Sequence, residues 1–322
     1  MQLAVTRTDI ALNAPVLEEV PVAAWPAVCD RFSHPVAHDA ILIGRVIESE
    51  QCMRPRAADL VTRPPAVAGH FYDADPHQLR SEVRRLLGMA TRPVMSCRPK
   101  AIIAPHAGYL YSGQVAATAF ATLDRSVETI QRVVLIGPAH YVPFHGLAVP
   151  TVEAFETPLG PVPLDHDALA AVAQLPSVKS TDAPHSPEHA LGVELPFLQE
   201  LLPRLMAVPL LVGDATPSEV AAALRELWGG PETVIVVSSD LSHFHNDETA
   251  RRRDATTADM IERGAWTRLA PGNACGYLAI AGLLIEATRR GLNATRLSLC
   301  NSGDTARSRD RVVGYGASWA RR

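Results

Sequence analysis

The sequence predicts an α/β fold, a single domain in which a mainly parallel or mixed central sheet is flanked by helices. Three observations predict it. First, apolar runs alternate with amphipathic segments over most of the chain. Second, the runs "KAIIA" (100–104), "RVVLIG" (132–137), "LMAVPLLVG" (205–213) and "TVIVVSS" (233–239) are too uniformly apolar to keep one face in water. Such strands are covered on both faces. Third, capping residues, prolines and glycines separate these runs at the places where helices would start and stop.

The elements follow in order. Residues 1–61 are a proline-rich extension ("NAPVLEEVPVAAWPAVCDRFSHP") in which only "AILIGRVIE" (40–48) reads as a short strand. His34 and His38 are surface residues of that extension. The domain proper runs from 62 to 322. Asp75 caps a helix with Pro76 at its first position, Leu79, Val83, Leu86 and Leu87 along its apolar stripe, and Gly88 at its end. Residues 112–123 form the helix after the first strand. A turn-rich segment and a short helix occupy 155–175. The next helix spans 186–202, with Ser186 as cap, Pro187 in its first turn, and a bend at Pro196. "SEVAAALRELWG", "DETARRRDATTADMIERG" and 273–291 are helices, and "RLSLCNSGD" and "VVGYGASWA" are closing strands.

Composition excludes several functions. With 322 residues and 47% hydrophobic content, the chain can bury a large core. A net charge of −4 lacks the basic footprint of a nucleic-acid binder. No stretch approaches the roughly 20 apolar residues of a membrane span, and no secretory signal is evident. Five widely spaced cysteines without a CxxC fit a reducing cytoplasm.

The candidate site lies at strand ends, because ligands of open α/β sheets bind beyond the carboxyl ends of the strands. His106 follows "AIIA", His140 follows "VVLIG", and Asp240 and His243 follow "VIVVSS". A lone histidine there is commonly a hydrogen-bonded structural group, but repetition at three strand ends favours a shared crevice. Pro105, Gly108, Gly137 and Pro138 fix the exits from the strands. Cys275 is a further candidate. If Asn273 caps the helix it precedes, Cys275 falls in the first turn, where the helix dipole lowers a thiol pKa. The alternative is a buried small hydrophobe. His185 and His189 flank Ser186-Pro187 at another expected helix start, with Glu188 adjacent and Glu194 beyond. His189 in a first turn would stay neutral and donate a hydrogen bond. His70, His77, His145, His166 and His245 are assigned structural roles.

Seven motifs in order, "PPAVAGHFYDAD", "APHAGYLYSG", "GPAHY", "ETPLGPVPLD", "HSPEHALGVELPFLQ", "SSDLSHF" and "ACGYLAIAGLL", resemble the Memo family over about residues 62–319. Its bacterial and archaeal members are the B component of a system with a radical-SAM protein and an AMMECR-type protein. The resemblance implies a fold similar to class III extradiol dioxygenases, which are non-haem iron enzymes. It also implies a pocket of two histidines and a cysteine, here His106, His140 and Cys275, as metal ligands. His243, Asp240 and His189 match further pocket residues, with His243 as acid–base group and Asp240 as a group that orients an imidazole or holds His243. Phe244 stands where the family motif carries tyrosine.

Two imidazoles and a thiolate accept Fe(II), copper or zinc, and ligand type alone does not decide among them; the resemblance to the iron dioxygenases puts Fe(II) first. The expected function is therefore metal-dependent redox chemistry on an unknown small-molecule or peptide substrate. The radical-SAM and AMMECR-type proteins are expected partners, with no nucleic acid and no membrane. The alternatives are a non-catalytic metal- or peptide-binding module in the same crevice and a zinc hydrolase with His243 as base.

Overall fold

The computed structural model describes residues 61–92, 98–126, 128–305 and 308–321. The expected strand at 40–48, His34, His38, Cys29, Cys52 and Cys97 lie outside them. In chain order the elements are β1 (Thr62–Arg63), α1 (Pro76–Met89), β2 (Ala101–Ala104), α2 (Tyr109–Phe120), β3 (Arg132–Pro138), β4 (Leu147–Val149), β5 (Ala154–Thr157) and β6 (Gly160–Pro163). Then come α3 (His166–Val172), β7 (Val178–Ser180), α4 (Leu195–Leu201), β8 (Met206–Val212), α5 (Pro217–Glu226), β9 (Thr233–Ser238) and β10 (His243–His245). The chain closes with α6 (Asp247–Glu262), α7 (Tyr277–Arg289), β11 (Asn293–Asn301) and β12 (Val312–Arg321).

Local chemistry sets the helix starts. The Asp75 carboxylate accepts from the backbone N–H groups of His77 and Gln78, and Pro76 opens α1. Thr216 and Glu219 form a reciprocal capping box on α5. Asn246 caps α6. Two helix starts depart from the sequence reading. The expected helix at 186–202 begins only at Leu195, because residues 185–194 instead turn repeatedly to wrap a buried carboxylate. The helix expected from Asn273 begins at Tyr277 with Gly276 as its cap. Asn273 turns back to accept from Ala270 N–H and donate to Thr257. Smaller shifts place the start of α2 at Tyr109 and carry α1 one residue past Gly88.

The main sheet has the order β10-β12-β2-β9-β3-β8-β4-β7, with β11 also paired to β12. Its centre, β2-β9-β3-β8, is parallel throughout. Both sides turn antiparallel, at β12 on β2 and at β4 on β8, so the sheet is mixed. A second sheet joins β1, β5 and β6. The turn-rich segment expected at 155–175 is therefore largely the β5–β6 hairpin before α3. α2 packs on β2 and β12, α7 on β3 and β9, and α6 on β11 and β12. Val133, Val134, Leu135 and Ile136 of β3 are completely buried, worth about 1.5–3 kcal/mol per side chain. Pro209 is tolerated inside β8 because the pairing with β4 involves only Leu211 and Val212.

His185 is a core group. Its Nε2 lies 3.1 Å from the Ala148 carbonyl, to which it donates. Its ring packs edge-on to Phe155, and its Nδ1 has no partner. A proton added at Nδ1 would be a buried charge without an acceptor. Burial accordingly brings the imidazole down to about 4, with the Ala148 hydrogen bond opposing. The unfolded chain takes up that proton near pH 6.5. The stability contributed is complete above pH 6.5 and is lost as pH falls toward 4, by about 3 kcal/mol. Urea unfolding at pH 7 and pH 4.5 should therefore show a smaller stability difference in His185→Gln than in the wild type. Equal differences in the two proteins would refute this role.

Candidate metal centre

Strand order brings distant residues together. β2 and β3 lie on either side of β9 and run parallel to it, so their carboxyl ends open on one crevice. His106 stands two residues beyond β2 and His140 two residues beyond β3. Asp240 stands two residues beyond β9, between them. Cys275 reaches the same place from the start of α7. One ligand atom from each of His106, His140 and Cys275 lies within 4.8 Å of the others. The His106 and His140 rings are 5.2 Å apart, and Cys275 Sγ is 3.4 Å from His106 Nε2.

Gly276 makes the approach of Cys275 possible. A Cβ there would stand 2.7 Å from Ser239 Cβ and 2.9 Å from the Ser238 carbonyl, a clash with the end of β9. Without it, Cys275 N–H donates to the Asp240 carbonyl, and Asp240 N–H donates to Cys275 Sγ at 3.2 Å. Cys275 thus sits just ahead of the helix rather than in its first turn. Burial, with the Asp240 carboxyl nearby, pushes its thiol up to about 12. The expected lowering by the helix dipole assumed a first-turn position that Cys275 does not take, and burial governs instead.

Each imidazole is held by its Nδ1. His140 Nδ1 lies 2.9 Å from Glu188 Oε1. Glu188 also accepts from the backbone N–H groups of His140, His189 and Ala190. Burial would raise this carboxyl, yet the hydrogen bonds from His140 and His189 hold it well below the usual carboxylate range. An ionised carboxylate can only accept, so His140 Nδ1 carries the proton and Nε2 keeps a free lone pair. His106 Nδ1 lies 2.7 Å from Ser238 Oγ. That hydroxyl is also 2.7 Å from the Ala190 carbonyl and 2.9 Å from Glu194 Oε1. Ser238 has a single proton, and the carbonyl can only accept it. Glu194 then supplies a proton to Ser238 Oγ, and His106 Nδ1–H donates to the remaining lone pair. Burial pushes Glu194 well above the carboxylate range, in keeping with a neutral acid. His106 Nε2 is left bare, facing Cys275.

The other expected residues are nearby with altered roles. Asp240 Oδ1 accepts from His106 N–H at 2.9 Å. It fixes the backbone of that loop and holds neither an imidazole nitrogen nor His243. Burial brings its carboxyl up to about 7, with the His106 hydrogen bond opposing. His243 is held by the Leu241 carbonyl, 2.8 Å from its Nδ1, so its Nε2 is also a free base. Burial keeps it below the usual imidazole value. His189 lies outside any helix. It stacks 4.8 Å from the His140 ring, and its Nδ1 is 3.2 Å from Glu188. A cavity of about 450 Å³ opens above, with His189, Asp240, His243, Phe71 and Tyr111 in its walls. His70 lines it too. Ser238 was not among the sequence candidates. It looks like an ordinary strand-terminal serine, and only strand pairing shows that it faces His106.

The chain matches the family model described as Memo-like protein over residues 63–319. It is similar to a MEMO1 family protein of Aquifex aeolicus, 34% identical over 267 residues, covering 79% of this chain and 97% of the relative. A MEMO1 family protein of Methanosarcina acetivorans is 36% identical over 275 residues, with 79% and 97% covered. One from Methanothermobacter thermautotrophicus is 34% identical over 278 residues, with 79% and 98% covered.

The hydrogen-bond count gives a direct test. Nitrogen NMR of the metal-free protein should show His106 as the Nδ1–H tautomer. Ser238→Ala removes the acceptor, so that tautomer should lose population, and Co(II) affinity should fall about 10- to 100-fold. A folded Ser238→Ala protein with the wild-type nitrogen signals would disprove the assignment.

Proposed function

The chain belongs to the Memo-like protein family, and on that premise we propose that it is a metal-dependent redox protein. The ion would be held by His106 Nε2, His140 Nε2 and Cys275 Sγ. The observation that supports this is the convergence of the three ligand atoms within 4.8 Å while both imidazole Nδ1 atoms are already engaged. Free Nε2 lone pairs, each oriented through the opposite nitrogen, are the arrangement a metal needs. Three protein ligands leave room for a small molecule, as in catalytic rather than structural sites. Fe(II) is our first assignment and copper the second. The thiolate is soft and favours copper, whereas the fold resemblance points to iron. When bound, such an ion supplies a Lewis acid and a redox couple.

The chain's own residues supply the rest. Glu188 and Ser238 fix the imidazoles. Asp240 ties the His106 loop to the end of β9. His243, with its Nε2 free and its Nδ1 fixed, takes or gives a proton at a substrate in the cavity. His189 walls the cavity beside His140. Cys275 must lose its proton and the histidines must be neutral when the ion binds, so acidification releases it. A pathway shared with radical-SAM and AMMECR-type proteins is part of this reading, to be tested by co-purification.

Elemental analysis after purification without oxygen should find about one iron or copper per chain in the wild type. His140→Ala and Cys275→Ser should lose it. A metal-free wild type, or full occupancy in both variants, would overturn the proposal. Zinc alone, with ester or amide turnover, would replace it with a hydrolase. Iron or copper without turnover would leave a binding module.

A further inference from the structure

The cavity above the centre has one permanently charged side chain in its wall, Arg311. Among the described residues no carboxylate pairs with it. Asp247 pairs with Arg251 and Arg309, and Asp304 with Arg251. Its guanidinium instead lies 5.1 Å from the centroid of the Phe244 ring. Phe244 is unusual in two ways. It is the one non-glycine residue with positive φ among those described, at 62°, within the irregular pairing of β10 and β12. The residue is also 63% exposed. A left-handed phenylalanine that buries little gives the fold no return for its strain. Such strain collects at ligand clamps.

We propose that Arg311, braced on Phe244, anchors the carboxylate of a small planar acid whose body occupies this cavity. The volume of about 450 Å³ suits a small molecule. Phe71 and Tyr111 offer it aromatic faces, and Ser308 a hydroxyl. Gly108, the residue ahead of α2, lies in the same wall with no side-chain cap, and although Tyr109 N–H is taken by the Phe71 carbonyl the helix dipole adds partial positive charge there. Asp240, the one carboxyl in the lining, is at the inner end, where its Oδ1 is taken by His106 N–H. The ligand's charge therefore belongs at the Arg311 end, and its other end at His189 and His243. One guanidinium without a second cation fits a single carboxylate, which it can grip with two parallel N–H donors. A dianionic phosphate ordinarily gathers more positive charge than this wall provides.

The inference rests on the preceding reading only in taking this cavity as the substrate's, so the test uses metal-free protein and stands apart from metal content. Calorimetric titration with benzoate, and with benzyl alcohol as its neutral counterpart, should show the wild type preferring benzoate. Arg311→Met should weaken benzoate about tenfold or more and leave benzyl alcohol unchanged. Arg311→Lys, which keeps the charge without the fork, should fall between. Phe244→Gly should weaken benzoate while the melting temperature holds or rises, because glycine accepts the left-handed backbone. A purely structural Phe244 would instead lower the melting temperature. Absence of benzoate binding in the wild type, or equal losses for both probes in Arg311→Met, would overturn the proposal.

Discussion

Parallel pairing of β2 and β3 on the two sides of β9 is the constraint on which the site depends. It converts residues 106, 140 and 240, far apart along the chain, into neighbours at one sheet edge. Register holds the arrangement in place. Ile103 pairs with Val237 and Ile136 with Val237 from the other side, so a one-residue slip of either strand would turn its histidine away from the crevice. Those pairs lie among buried aliphatic side chains, so a slip would also have to repack the core on both faces of the sheet. The apolar runs are thus what aims the imidazoles.

Two glutamates six residues apart on one turn-rich segment show how environment divides identical chemistry. Glu188 is surrounded by N–H donors and stays ionised. Glu194 meets a hydroxyl at one oxygen and nothing at the other, and stays neutral. The first fixes His140, and the second completes the shell of Ser238, which fixes His106. Both imidazoles therefore present the same nitrogen to the crevice, by opposite means. The wrapping of Glu188 also accounts for the late start of α4. The N–H groups of His189 and Ala190 go to that carboxylate rather than into a helix. Arg63 closes the outer side by donating to the carbonyls of His185 and Glu188.

Much of this was legible in the sequence. The central strands, their order in the chain and the histidines after them follow from apolar runs and breakers, and the six candidate residues do meet at one place. What could not be read was directional. Asn273 is a sound cap by type, yet its side chain is turned to Ala270 and Thr257 and the helix starts later. Asp240 is a natural partner for an imidazole, yet backbone N–H groups lie nearer to it. Ser238 and Arg311 carry no local signal. One depends on which strands flank β9 in the sheet, and the other on a loop between the last two strands.

The placement of Cys275 joins these levels. A thiol at a helix start ordinarily ionises readily, and an exposed thiolate beside redox chemistry is quickly oxidised. Here it is withdrawn one step from the helix and packed on the β9 end, where burial pushes its thiol up, with His106 Nε2 at 3.4 Å. Only a partner that compensates the buried negative charge can draw it into ionised form, and a cation held by the two adjacent imidazoles is such a partner. In the function proposed above, the same burial that disfavours the free thiolate would couple its ionisation to the binding of the ion. Outside the helix's first turn, desolvation is what governs the free sulfur and disfavours its thiolate.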